Sequence, residues 1–342
     1  MDALLTEEQN DLRLTAASLG RDVGTAAVSE LAGGDPGRAW TLLSQSGFLG
    51  LRTPEDSGSP QASGVDVAVV TEQLAISLVR APFLGCGVLA AELARLAGAA
   101  DVLAQIGSGE RKLTVCLSRD LTVLAPVTSE PAIGFDAAGC DAALAVRGGD
   151  LVLLELKDPG SPCIDLTRQV AEVGGAAAGT VIGQLGRDGL ERWTALALTA
   201  LTADLVGTMQ GALSLATRYA TEREQFGAPI GSFQAVAHLC AEQAVRVAGA
   251  RSAMNYAAWC VDESPGEALA AARIAKAYAA ESARTVTEAA IQVHGGIGIT
   301  WECMAHLYLR RALMTSAVLG DDSYQLDQLA AGTQEVSADG LP

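Results

Sequence analysis

The segment Arg218-Tyr219-Ala220-Thr221-Glu222-Arg223-Glu224-Gln225-Phe226-Gly227-Ala228-Pro229-Ile230-Gly231-Ser232-Phe233-Gln234 decides how the chain is read. Upstream of it, Leu198, Leu201, Leu205, Met209, Ala212, Ala216 and Ala220 step by three or four residues. That spacing predicts a buried helical stripe from about Gly189 to Thr221, stopped by Gly227 and Pro229. Arg223 then stands at a helix end beside a break. A guanidinium there can fork onto two oxygens of a pyrophosphate, which an ammonium does less well. Phe226 offers a flat apolar face beside it. A second stretch, Gln292-Val293-His294-Gly295-Gly296-Ile297-Gly298-Ile299-Thr300, is followed by Leu307-Tyr308-Leu309-Arg310-Arg311. Gly295 and Gly296 close a helix and leave no Cβ, so a ligand can touch the main chain. Gln292, one turn earlier, can both donate and accept. Plainer readings exist: Arg223 as a salt-bridging helix end, Gly227-Ala228-Pro229 as a turn, and Gly295-Gly296 as a C-cap. A Rossmann loop is disfavoured because these glycines follow a helix instead of a strand.

Outward from these stretches, further helices are predicted over Ser232–Asp262 and Pro265–Val293, with a last one after Thr300. Long Ala-rich helices with short connections read as an antiparallel bundle. Before them, Lys112–Leu117, Leu121–Ala125, Ala142–Val146 and Leu151–Leu156 are short, apolar and punctuated by Gly, Pro and Asp, as small antiparallel strands are. The first third reads as helical. Thr6 caps a helix with Glu7 and Glu8 in its first turn and Leu12, Leu14, Ala17 and Leu19 behind it. Helix signals recur at Ala39–Ser46, Val65–Val79 and Leu84–Leu96.

Composition bounds the function. The 342 residues carry 23 Lys and Arg against 40 Asp and Glu, a net charge of −17. That excludes nucleic acid or an anionic membrane as the main partner, since both require phosphate neutralisation. No uninterrupted apolar run reaches the ~18–20 residues of a membrane span. The acidic N-terminus reads as neither a signal nor a transit peptide. Seven scattered cysteines (Cys86, Cys116, Cys140, Cys163, Cys240, Cys260, Cys303) show no CxxC spacing, so the reading is a reduced, cytoplasmic protein without a metal site.

Together the two stretches resemble the acyl-CoA dehydrogenase family. Gly47-Phe48-Leu49-Gly50-Leu51 before Pro54-Glu55 agrees, as does the helix–β–helix order over nearly the whole length. The fold implied is mainly α with a small central β-domain: a helical N-terminal domain over 1–110, a β-barrel-like middle over 111–187, and a C-terminal four-helix bundle over 188–342. The resemblance also implies flavin adenine dinucleotide (FAD) shared between two subunits. One holds the isoalloxazine ring. The neighbour supplies the ADP side, here Arg223, Gln225, Phe226, Gln292, Gly295 and Gly296. The implied reaction is α,β-desaturation of an acyl-CoA thioester, with a carboxylate removing the α-proton and electrons passing on to an electron-transferring flavoprotein.

The base does not follow the pattern. Family members place a Glu 23 residues beyond the second Gly of the pair, which is Leu319 here, or 26 residues before the Arg, which is Ala197. Neither takes a proton. Leu198 falls where many members have a cleft Arg. Cys116-Leu117-Ser118-Arg119-Asp120 replaces the usual ring-side loop, and a ring-contacting Trp-Ile-Thr-type strand is missing. The chain therefore resembles the base-less subunit of the short actinobacterial α2β2 enzymes. Its expected partner is a catalytic acyl-CoA dehydrogenase subunit. Two other readings stay open. One is a homomeric enzyme with a relocated base at Asp321, Asp322 or Glu191. The other is a flavin-free structural or acyl-CoA-binding protein.

Overall fold

A computed structural model describes residues 4–32, 36–55, 58–125, 131–156, 160–174 and 179–338. Thr6 caps α1 (Glu7–Val23), and Gln9 returns the bond to complete a capping box. The packed face of α1 runs through Ala16 and Gly20, and Leu14 is exposed, unlike the stripe expected from its spacing. The N-terminal region continues through α2 (Pro36–Gln45), α3 (Gly64–Ile76), α4 (Ala91–Leu96) and α5 (Ala100–Gly107). The expected helix at Leu84 begins as a wide π-helical segment over Phe83–Ala90 that feeds into α4. Gly85 explains the close fit there: a Cβ would meet the Phe135 carbonyl at 2.7 Å.

One seven-stranded sheet follows, built from β1 (Leu113–Leu117), β2 (Ala132–Phe135), β3 (Ala142–Arg147), β4 (Asp150–Glu155), β5 (Ser161–Pro162), β6 (Gln169–Val173) and β7 (Thr180–Gln184). Their order is β5-β6-β2-β1-β3-β4-β7. The sheet is mixed, because β1 and β3 pair in parallel while the other pairs are antiparallel. The strand expected at Leu121–Ala125 is instead a turn, touching β1 through a single Leu117–Leu124 bridge. Asp120 organises that turn by accepting from Ser118 and Thr122.

The bundle comprises α6 (Arg187–Glu222), α7 (Gln234–Glu263), α8 (Pro265–His294), α9 (Ala305–Ala317) and α10 (Asp322–Ala338). Helix α6 is long and apolar enough to cross a membrane by length and composition, contrary to the expectation from uninterrupted runs. Yet 94% of its apolar window is buried inside the protein, which marks a core helix. It lies close to α3: a Cβ at Gly207 would meet the Glu72 carbonyl at 2.2 Å, and one at Gly211 the Ile76 carbonyl at 2.6 Å. The main apolar cluster draws on all three regions, with Leu43, Leu89, Leu113, Leu144, Leu198 and Leu319 among its members.

Candidate functional site

The two stretches that opened the sequence reading meet at one end of the bundle. Tyr219, in the last turns of α6, stacks on His294 at the end of α8, with ring centroids 4.4 Å apart. Arg223 caps α6, its N–H donating to the Tyr219 carbonyl. A two-residue hairpin, β8 (Glu224–Gln225) with β9 (Ala228–Pro229), follows at once. At its tip Phe226 is 96% exposed and adopts φ +55°. That is a left-handed conformation which disfavours a bulky residue. Phe233 meets it edge-on at 6.2 Å. Gln225 turns its amide onto the Glu224 carbonyl. Gln292 is exposed one turn before Gly295, whose φ of +65° ends α8. Nothing lies within 4 Å of where a Cβ would sit on Gly295 or Gly296, so the main chain there is open to a ligand. Arg223 is exposed and makes no ion pair among the described residues. The guanidinium is thus open to an anionic ligand. The set fits the ADP side of a dinucleotide: a forked cation, a flat apolar face, an amide and bare backbone.

The base positions are built in the opposite way. Leu319 is 5% exposed and Ala197 is buried, and both lie in the main apolar cluster with Leu198 and Leu117. Leu319 has φ +57°. Its N–H donates to the Leu121 carbonyl at 2.7 Å, and its own carbonyl accepts from Gln325 Nε2 at 2.5 Å. Beneath this loop Lys276 is wholly buried. Its Nζ donates to the carbonyls of Ser316 (2.8 Å) and Gly320 (2.9 Å). Burial pushes the amine down to about 7, opposed only in part by Asp321 and Asp322.

Of the three carboxylates considered as relocated bases, Asp321 and Glu191 are engaged elsewhere, while Asp322 is half-buried at the start of α10. Asp321 is exposed and caps α10, accepting from the Tyr324 N–H at 2.9 Å. Glu191 is exposed beside Arg187 at 3.3 Å. Buried carboxylates exist, but each faces an arginine. Glu92 bridges Arg52 and Arg95, and Glu72 meets Arg251. Burial raises Glu92, and the two guanidiniums outweigh it and hold the carboxyl below its ordinary range.

The remaining buried acids form a network that the sequence reading missed. Asp136 follows β2, Asp165, Thr167 and Arg168 precede β6, Asp204 lies in α6, and Arg311 and Thr315 lie in α9. Arg168 donates to Asp204 (2.6 Å) and Thr315 (2.8 Å), while Arg311 donates to Asp165 (3.4 Å) and Thr167 (2.8 Å). Burial pushes Asp136 up, resisted by Arg168 and by the Gly85 N–H. Asp204 is raised by burial and lowered by more from Arg168 and Arg311, so it sits below its ordinary range. The one available signal was Asp204 itself: a carboxylate inside an apolar helical stripe requires a buried partner. The network fastens the sheet to α6 and α9. All seven cysteines are free thiols, and no cluster of metal-ligating side chains occurs among the described residues.

Comparison with known proteins accords with this architecture. Residues 196–334 match the model of the acyl-CoA dehydrogenase C-terminal domain. The acyl-CoA dehydrogenase IpdE2 of Mycolicibacterium smegmatis is 33% identical over 336 residues, covering 96% of this chain and 99% of that protein. Among solved structures, a variant of the Tcur3481-Tcur3483 steroid ACAD superposes with a TM-score of 0.85 at 25% identity, covering 97% of this chain and 99% of that one. The ChsE4-ChsE5 complex of Mycobacterium tuberculosis gives 0.83 at 27%, covering 98% and 99%. With the helical lobe, the central sheet and the bundle in the same order, the chain belongs to the acyl-CoA dehydrogenase family.

Proposed function

We propose that this chain is the base-less subunit of a heteromeric, FAD-dependent acyl-CoA dehydrogenase, and that it completes the ADP side of a flavin site on a catalytic partner. One observation carries the reading. The residues suited to the nucleotide stand exposed at the end of the bundle, with Arg223 making no ion pair among the described residues, while both base positions are apolar and packed. Arg223 would hold pyrophosphate oxygens, Phe226 and Gln292 would border the nucleotide, and Gly295 and Gly296 would let it approach the main chain. Bound FAD supplies the hydride acceptor for α,β-desaturation. The proton-abstracting carboxylate comes from the partner, and electrons leave to an electron-transferring flavoprotein. Both solved relatives carry paired names and one is a steroid enzyme, which makes a polycyclic acyl-CoA the first substrate to try. Free thiols throughout fit a reducing cytoplasm.

Co-expression with a candidate partner tests this. The expected product is a yellow α2β2 complex with one FAD for each pair of unlike subunits. Purification of this chain alone with stoichiometric FAD and acyl-CoA turnover would refute it.

A further inference from the structure

The main chain at Leu319, one of the two base positions, is bonded across to the β-domain. We infer that the segment Val318–Gly320 is a plug. It is seated on the Ser118–Thr122 turn of the β-domain and held from beneath by Lys276, and it seals this subunit's own cleft against an acyl thioester. The inference rests on the base-less assignment and deepens it.

Three features converge. First, the Leu319 N–H is spent on the Leu121 carbonyl at 2.7 Å, so the main chain at the base position is bonded across to the β-domain. Both residues take left-handed conformations, φ +57° and +64°, which side-chain-bearing residues seldom adopt unless their surroundings impose them. Second, three carbonyls of this turn are held by side chains. Gln325 reaches that of Leu319, and the buried Lys276 reaches those of Ser316 and Gly320. Gly320 closes the turn at φ +90° against the Tyr324 ring, where a Cβ would lie 2.1 Å from Cδ1. Third, the Leu319 side chain packs in the apolar cluster that also holds Ala197, Leu198 and Leu117. The side-chain space at the base position is thus filled by hydrocarbon. The Arg168 network independently ties the same sheet to α6 and α9, which opposes separation of the two walls.

Hydrogen exchange on the full chain, alone and in complex with its partner, tests the plug, with octanoyl-CoA as the probe. The Leu319 amide is expected among the slowly exchanging class, and saturating octanoyl-CoA is expected to leave it and the Ser118–Thr122 turn unchanged. Lys276→Met should speed exchange at Leu319 by about tenfold, the signature of local opening. Solvent-rate exchange at Leu319 in the unmodified chain, or a ligand-dependent change there, would overturn the plug. An unchanged rate in the Lys276 variant would remove the lysine from it. Should that variant not fold, the measurements on the unmodified chain still decide. The two readings fail separately. Turnover by the chain alone defeats the base-less assignment, whereas ligand-dependent exchange at Leu319 without turnover defeats only the plug.

Discussion

Helices α6 and α8 each serve two regions of opposite character. Near its start α6 buries Ala197 and Leu198, and at its end it presents Arg223 to solvent. In its middle α8 buries Lys276, and at its end it presents Gln292, Gly295 and Gly296. At the exposed end Arg223 makes no ion pair among the described residues, Phe226 is exposed, and no described atom lies near where a Cβ would sit on Gly295 or Gly296. In the buried region Lys276 and the Arg168 network are hydrogen-bonded, while the buried hydroxyls of Thr208 and Ser282 on the same two helices have no partner among the described residues. Exposed polar groups can take a ligand, whereas groups already bonded in the interior have little to offer one.

The largest effect expected from breaking this contrast lies in the buried region. Arg168→Met removes the nearest cation from Asp204 and Asp136 in the interior, and removing one partner of a buried pair costs about 3–5 kcal/mol. Thermal or denaturant unfolding should register that loss, and a change under about 1 kcal/mol would mean the network is not the clamp described. Next comes Arg223→Ala. Charge-assisted bonds contribute about 1.5–3 kcal/mol, so flavin affinity of the assembled complex should fall roughly 10- to 100-fold. Unfolding of the isolated chain should not move, because Arg223 is exposed. Equal loss of both would make Arg223 structural.

Lys276 provides a pH test. Its folded value of about 7 lies below the unfolded 10.5, so the unfolded chain binds the extra proton between those limits. Its contribution to stability therefore rises with pH across that window, by up to about 1.4 kcal/mol per unit, and its full penalty is present below the lower limit. Asp321 and Asp322 favour the charged amine, and burial lowers neighbouring Arg273. Lys276→Met should flatten the stability profile relative to the unmodified chain above neutrality. A smaller change of opposite sign is expected at Phe226. Glycine relieves the left-handed strain of about 1–2 kcal/mol but adds about 0.5–1 kcal/mol of chain entropy on folding. Phe226→Gly should leave the isolated chain equal or slightly more stable while weakening flavin retention in the complex. Smallest of all, Glu191→Gln should leave turnover of the complex unchanged, and a marked loss would revive the relocated base.

The exposed end was readable from sequence because its residues are local. Arg223 through Phe226 and Gln292 through Gly296 are contiguous runs at helix ends, where glycine and proline mark the boundaries. The long helices were readable for the same reason, since their apolar spacing is a property of one segment. The buried region was not. Asp136, Asp165, Asp204 and Arg311 come from four separate elements, and nothing local pairs them. The strands β2 (Ala132–Phe135) and β6 (Gln169–Val173) escaped notice because they are short, and a residue such as Gly134 or Glu172 breaks the apolar pattern. The parallel pairing of β1 with β3 depends on β2 flanking the other side of β1, a long-range fact.

The glycines of α6 carry a consequence for anyone wishing to dissect the molecule. Gly207 and Gly211 bring α6 within backbone contact of α3, where Ala75 and the Tyr308 ring of α9 also pack against them. A fragment beginning at α6 would expose to water the face that α3 covers. Truncations meant to isolate the bundle should therefore aggregate unless α3 is supplied in trans.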